Sequence, residues 1–190
     1  MNAATEAAST NDRLGAVTGP REVTFVRVLP GPIERVWSFL ADGDKRKLWL
    51  ADGHFEPRLG GVAKLKFHNG AITPPGEAIP EDMQKFSGVM ETQGRVTAWN
   101  PPHELGFSWW GEPGESSEVL FRLAPEADGR VKLTLIHRAL KDRSLMLMIA
   151  GGWHAHLGLL VALAEDRAPT AFWGVMGGVQ KSYEGLIPQE

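Results

Sequence analysis

Apolar residues change their spacing twice along the chain, and each change marks a change of element type. REVTFVRVL, residues 21–29, is β-branched and aromatic and predicts a strand. Gly31-Pro32 then opens a helix, with Pro32 at the first helical position, where its missing N–H costs nothing. Ile33, Val36, Trp37 and Leu40 follow at i, i+3, i+4 and i+7 as one apolar stripe, and Asp42-Gly43 stops it. A second short helix, from Asp44 to about Trp49, is expected to bury Leu48 and Trp49. It exposes Lys45, Arg46 and Lys47, which read as a solvated face.

From His54 to His137 the period becomes two. HFEPRLGGVAKLKFHNG has the form of two strands joined near Gly60-Gly61, with Ala63, Leu65 and Phe67 alternating against Val62, Lys64 and Lys66. AITPPGEAIPEDMQ, residues 71–84, holds three prolines and no periodicity, so it is read as a loop. KFSGVMETQGRVTAW predicts a long strand, and ELGFSWWG another, with Leu105, Phe107 and Trp109 on one face and Trp110 on the other. SEVLFRLAPEADGRVKLTLIHRAL predicts a hairpin turning at Asp128-Gly129. Val119, Phe121, Leu123, Val131, Leu133, Leu135 and His137 share its inner face. The outer face is polar except for Leu120 and Ile136. With Trp110 these would form an apolar patch to be covered by the last helix or by a second copy of the chain, a homodimer.

The last third is helical again. With Trp153 at zero on a helical wheel, Met146, Ile149, Leu157, Leu160 and Ala164 lie within about 40°. Gly151-Gly152 interrupt this face beside a large Trp and imply close approach to a neighbour. After Pro169, Thr170 is expected to cap a final helix carrying Phe172, Met176, Val179, Tyr183 and Leu186 on one stripe. The order predicts an α+β fold: a curved antiparallel sheet wrapped around a long C-terminal helix, two short helices after the first strand, and an extra C-terminal helix. Residues 1–20 are read as a mobile tail, 21–168 as the domain and 169–190 as the appended helix.

Composition narrows the chemistry. The 190 residues contain no cysteine, which removes disulfides, thiol nucleophiles and cysteine-based metal sites. A net charge of −3 gives no reason to invoke nucleic acid or an anionic membrane. The chain shows no run of 18 apolar residues and no export signal, so a cytoplasmic protein with no membrane span is expected. The six histidines lack metal-binding spacing: His154 and His156 project about 200° apart on a helix, and no HExxH occurs. No GxSxG elbow, phosphate loop or dinucleotide fingerprint is present, so no metal and no cofactor are expected. Glu56 would be a general base only if buried. Seven Trp against one Tyr point to a large aromatic interior.

The order of elements, together with VTFVRVLPGPIERVWSFLAD, LWLADGHFEPRLGG, SGVMETQGRVTAWNPPHELGFSWW, DGRVKLTLIH and GGWHAHLGLLVALAE, resembles the SRPBCC superfamily, also called START-like or birch-pollen-allergen-like. Within it, the likeness is to the family named for the activator of the heat-shock-protein-90 ATPase. The resemblance covers about residues 22–165 and implies a helix-grip fold with a cavity between sheet and long helix. The residues placed to line such a cavity are Trp37, Phe67, Trp109, Phe121 and Trp153, with Trp49 at its mouth and His137 and His156 as polar anchors. The expected function is therefore binding of a small hydrophobic or aromatic ligand without catalysis. The resemblance also implies two alternatives: a co-chaperone-like module acting on the heat-shock chaperone ATPase, and a cyclase or hydratase of aromatic polyketide-like substrates.

Overall fold

The computed structural model describes residues 10–169 and 171–189. Its strands are β1 (Ala16–Gly19), β2 (Glu22–Pro30), β3 (Asp52–Phe55), β4 (Val62–His68), β5 (Val89–Asn100), β6 (Glu104–Ser108), β7 (Glu118–Pro125) and β8 (Arg130–Arg138). They form one antiparallel sheet in the order β1-β2-β8-β7-β6-β5-β4-β3. The alternation predicted from sequence sets its inner face. Phe25 pairs with Leu135, Leu135 with Phe121 and Phe121 with Leu105 across four neighbouring strands, and all four are buried. At Gly94 a β-carbon would lie 2.2 Å from the Ser108 carbonyl oxygen, so only glycine lets β5 approach the end of β6.

Helix α1 (Ile33–Ala41) and the single turn α2 (Gly43–Arg46) close one end. Here the basic triplet departs from expectation. Arg46 is buried, with Nη1 donating to the Leu40 carbonyl at 2.9 Å and Nη2 to the Gly53 carbonyl at 2.7 Å. Its guanidinium lies over the Phe55 ring at 4.3 Å, and burial lowers its pKa to about 10. Three elements are thus tied by one planar donor fork, while Leu48, expected inside, is exposed.

Helix α3 (Arg143–Ala164) is capped by Asp142, whose side chain accepts from the Leu145 N–H at 2.8 Å. It is long and apolar enough to cross a membrane by length and composition, although no run of 18 apolar residues interrupts the sequence; most of it is buried inside the domain. Trp153 and the residues predicted to share its face are all buried, and so are Ala155, Leu159, Val161 and Ala162 on other sides. The second cover comes from α4 (Trp173–Gly178) and α5 (Gln180–Leu186), which pack on α3 and not on the outer sheet face. Thr170, the expected cap, lies outside the described residues.

The 71–84 segment is a clasp. Glu77 accepts from the Phe172 and Gly174 N–H groups at 2.7 and 2.8 Å, and Thr73 Oγ1 accepts from Trp173 Nε1 at 2.8 Å. A 3₁₀ turn, Glu81–Phe86, leads from it into β5. The N-terminal tail also differs from expectation. Residues 1–9 lie outside the described residues, but Ala16–Gly19 pairs with β2 as an edge strand, and Asn11 exchanges two hydrogen bonds with the Val28 backbone.

Replacing Trp153 by Ala removes a buried indole from the middle of this contact. Chemical denaturation of Trp153→Ala is expected to show a loss of about 3–5 kcal/mol; a loss below about 1 kcal/mol would mean that α3 does not press this face on the sheet.

Candidate functional site

The polar centre of the interior is His137. A Trp indole nitrogen can only donate, so the 2.9 Å contact from Trp153 Nε1 makes His137 Nδ1 an acceptor. The neutral ring then carries its proton on Nε2 and donates to Ser117 Oγ, also at 2.9 Å. Burial lowers the His137 pKa to about 3. Both ring nitrogens are therefore used inside the protein. His137 is therefore not the polar anchor for a ligand that the sequence reading expects: its partners are Trp153 on α3 and Ser117 before β7.

His156, one helical turn further along α3, donates from Nδ1 to the Trp49 carbonyl at 2.8 Å. Burial lowers its pKa to about 4, so the ring is neutral and Nε2 carries no proton. Trp49 itself is fully buried against Phe121, and its Nε1 donates to the Phe39 carbonyl at 2.9 Å. It is a core residue and not a cavity mouth. Trp37 packs edge-on against Trp99, half-buried on α1.

An apolar pocket of about 130 Å³ opens between α3 and the sheet beside Trp153. The sheet side supplies Phe67, Trp109 and Met90; α3 supplies Met148, Ile149, Gly152, Trp153 and His156. Leu50, Asn69, Phe86 and Trp110 complete the wall with Phe172 and Met176 from the C-terminal segment. The pocket thus brings together Phe67, Trp109, Trp153 and His156 of the eight residues placed by sequence; Trp37, Trp49, Phe121 and His137 stand outside it. Trp110 is not part of an outer patch with Leu120 and Ile136. β6 ends at Ser108, strand alternation ends with it, and both Trp109 and Trp110 face the pocket.

Two features of the wall were missed. Gly152 does not mark close packing, because a β-carbon there would meet nothing within 4 Å. Its bare α-carbon is what leaves room. Asn69 continues the inward alternation of Ala63, Leu65 and Phe67, a signal present in the sequence. Its Nδ2 donates to the Phe86 carbonyl at 3.1 Å, which turns Oδ1 the other way, and Oδ1 is buried with no partner. Trp109 Nε1 is buried and unpartnered too.

A wider groove of about 400 Å³ lies near Asn11, Asp12, His154, Glu165 and Arg167. The Tyr183 hydroxyl beside His154 is satisfied: it accepts from the Gly15 N–H at 2.9 Å and shares a hydrogen bond with His154 Nδ1 at 3.1 Å. Among the described residues no three His, Cys, Asp or Glu side chains gather as a metal site would need. Glu56 is partly exposed and accepts from the Val62 N–H and from Arg58, which makes it a turn clamp.

Residues 30–165 match the family described as Activator of Hsp90 ATPase homolog 1-like protein. The structure is similar to the solution NMR structure of the protein encoded by gene BPP1335 from Bordetella parapertussis, with a TM-score of 0.77 and 39% identity over 93% of this chain and 91% of that one. It is also similar in fold to the crystal structure of CalU16 from Micromonospora echinospora, with a TM-score of 0.64 and 22% identity over 93% and 97%. No curated protein matches the chain.

The two buried imidazoles fix a pH dependence. His137 and His156 stay neutral in the fold to about pH 3 and 4, while the unfolded chain takes up protons near pH 6.5. The unfolded state thus binds more protons between these limits. Stability is level above about pH 7 and falls on acidification below about 6.5, by about 1.4 kcal/mol per pH unit for each imidazole. Urea denaturation at pH 7.5 and 5.0 measures this; equal midpoints would show that neither ring is held neutral.

Proposed function

The chain belongs to the activator of Hsp90 ATPase homolog 1-like family of the SRPBCC superfamily, and we propose that it binds a small, uncharged, mainly apolar ligand in the pocket beside Trp153. One observation carries this reading: an apolar concavity at the junction of α3 and the sheet is lined by Trp109 and Asn69, each of which keeps a buried polar atom that no protein group satisfies. A filled core has neither the room nor the orphaned atoms, since buried polar groups are nearly always paired. Ligand sites combine an apolar wall with a few polar groups that fix orientation.

The rim supports the same reading. Met90, Trp110 and Met148 are 44%, 40% and 37% exposed and stand together at the opening. They form an apolar collar for whatever part of a ligand the pocket does not hold, and methionine adapts readily to irregular shapes. No lining residue is an acid or a base apart from His156, whose pKa is lowered to about 4. A group so far from neutrality is poorly matched to acid–base catalysis, which favours binding over turnover.

The pocket can be plugged without touching the core. In Gly152→Leu the new side chain enters open space, and a helix-interior glycine is replaced by a better helix former. Toluene titrated into the wild-type protein is expected to give a saturable change in Trp fluorescence, because Trp109, Trp110 and Trp153 line the pocket. Gly152→Leu is expected to lose that change while its thermal midpoint stays level or rises. Unaltered toluene binding by Gly152→Leu would place the site elsewhere.

A further inference from the structure

β2 is longer than the strand that pairs with its free edge. β1 follows it only as far as Ala16 opposite Thr24, whereas β2 runs on to Pro30. From Gly15 towards the N-terminus the chain leaves the ladder. The Gly15 N–H turns to the Tyr183 hydroxyl on α5 at 2.9 Å, and a β-carbon on Gly15 would lie 2.6 Å from the Phe25 ring. Beyond it the chain stays against β2 through side chains. The Asn11 amide takes both main-chain groups of Val28: Nδ2 donates to the carbonyl at 2.9 Å and Oδ1 accepts from the N–H at 2.7 Å. Arg27 Nη1 donates to the Arg13 carbonyl at 3.2 Å and to the Val26 carbonyl at 2.8 Å.

Successive residues of a strand aim their main-chain groups to opposite sides. Val28 offers its groups to Asn11, so those of Val26 face the same edge, while Arg27 pairs with Leu133 of β8. The Val26–Pro30 stretch is thus a sheet edge on which an amide side chain and a guanidinium stand in for a neighbouring strand. An open edge is a template for pairing with another chain, and a covering loop is one way to protect it. Extended peptides that add to such an edge gain affinity from main-chain bonds and specificity from the side chains beside it.

Charge beside this edge specifies the segment it suits. Arg27 is 1% exposed, its Nε has no partner, and it forms no ion pair among the described residues. Burial lowers its pKa to about 10, and Tyr183 and Asp12 act in the opposite sense. The covering segment therefore already brings one acid towards this cation. On the outer side a groove of about 730 Å³ runs beside Val26 and Val28, with Arg13, Arg130 and Lys132 set against Glu126 and Asp128. A buried guanidinium on one side and an excess of cations on the other complement carboxylates.

We propose that the Val26–Pro30 edge of β2 is a docking site for an extended acidic segment of another protein, and that residues 10–14 are an internal cover that competes with it. The segment would take the Val26 and Val28 groups by its main chain in place of Asn11 and turn a carboxylate towards Arg27 in place of Asp12. This edge shares no residue with the pocket beside Trp153, so the proposal goes beyond the binding function and does not depend on it.

The test titrates a labelled acidic peptide, TEVEVET, and its basic counterpart, TKVKVKT, into the full-length chain and into Asn11→Ala, read by fluorescence anisotropy at low salt. The acidic peptide is expected to bind Asn11→Ala about fivefold more tightly than wild type, because loosening the cover raises the fraction of molecules with an open edge. The basic peptide is expected to bind neither. In hydrogen exchange the Val28 amide should be faster in Asn11→Ala and slow again when the acidic peptide saturates it. Lys132→Glu, an exposed change in the groove, should weaken the acidic peptide in the same background. Equal affinity for wild type and Asn11→Ala, equal binding of the two peptides, an unmoved Val28 amide or no effect of Lys132→Glu would each overturn the proposal, as would no binding to either form. Sedimentation showing that Asn11→Ala dimerises without peptide, with Val28 protected in the dimer, would overturn it too, since the occupant would then be a second copy of this chain.

Discussion

One hydrogen-bonded line, Trp153 to His137 to Ser117, sets the geometry on which the interior depends. It joins the middle of α3 to β8 and to the start of β7, across a contact that is otherwise apolar. Apolar packing alone presses a helix onto a sheet without fixing its rotation or its height closely. A Trp N–H that must meet a histidine nitrogen fixes both, because leaving either atom buried and unpaired costs about 1–3 kcal/mol. With Trp153 held, Gly152 and Met148 are carried to the same side of the helix as the pocket, and His156 is brought under the Trp49 carbonyl. The pocket is thus a consequence of where one indole is anchored.

The same constraint explains why the cavity does not collapse. Its floor is the pinned Trp153, its sheet wall is held by the β4–β5 and β6–β7 ladders, and its outer wall is held by the clasp of Glu77 and Thr73 on Phe172, Gly174 and Trp173. The void then survives because the residue that would fill it is a glycine. Each wall is bound to something other than its opposite wall. Closing the space would break a hydrogen bond somewhere else.

Much of the fold was legible because a period-two face is a strong signal when it recurs from strand to strand, as is a period-3.6 face over a 22-residue helix. The family resemblance agreed with it. The site was only half legible, for reasons visible at single residues. His137 was correctly placed on the inner face, but a sequence cannot show that a Trp sixteen residues on will bond to it. Arg46 looked like a surface charge, since its three acceptors are backbone carbonyls, which no side-chain pattern reveals. Trp110 was assigned by extending an alternation past Ser108, where the strand had already ended. Phe172 and Met176 reach the pocket only through the clasp between the proline-rich segment and the C-terminal helices, a contact about a hundred residues apart in the chain. Asn69 is readable as the next inward position after Phe67, although the strand itself ends at His68.

The central claim is that the Trp153 indole is anchored on His137 and that the space this leaves beside it takes an apolar ligand. Trp49 donates to the Phe39 carbonyl and Trp173 to Thr73, away from that space. The indole ¹H–¹⁵N resonances, assigned by single Trp→Phe substitutions and followed during a toluene titration, read this directly. The Trp109, Trp110 and Trp153 signals should move, because these rings line the pocket, with Trp49 unmoved. A titration in which those three signals stay fixed while saturation is observed elsewhere would contradict the account.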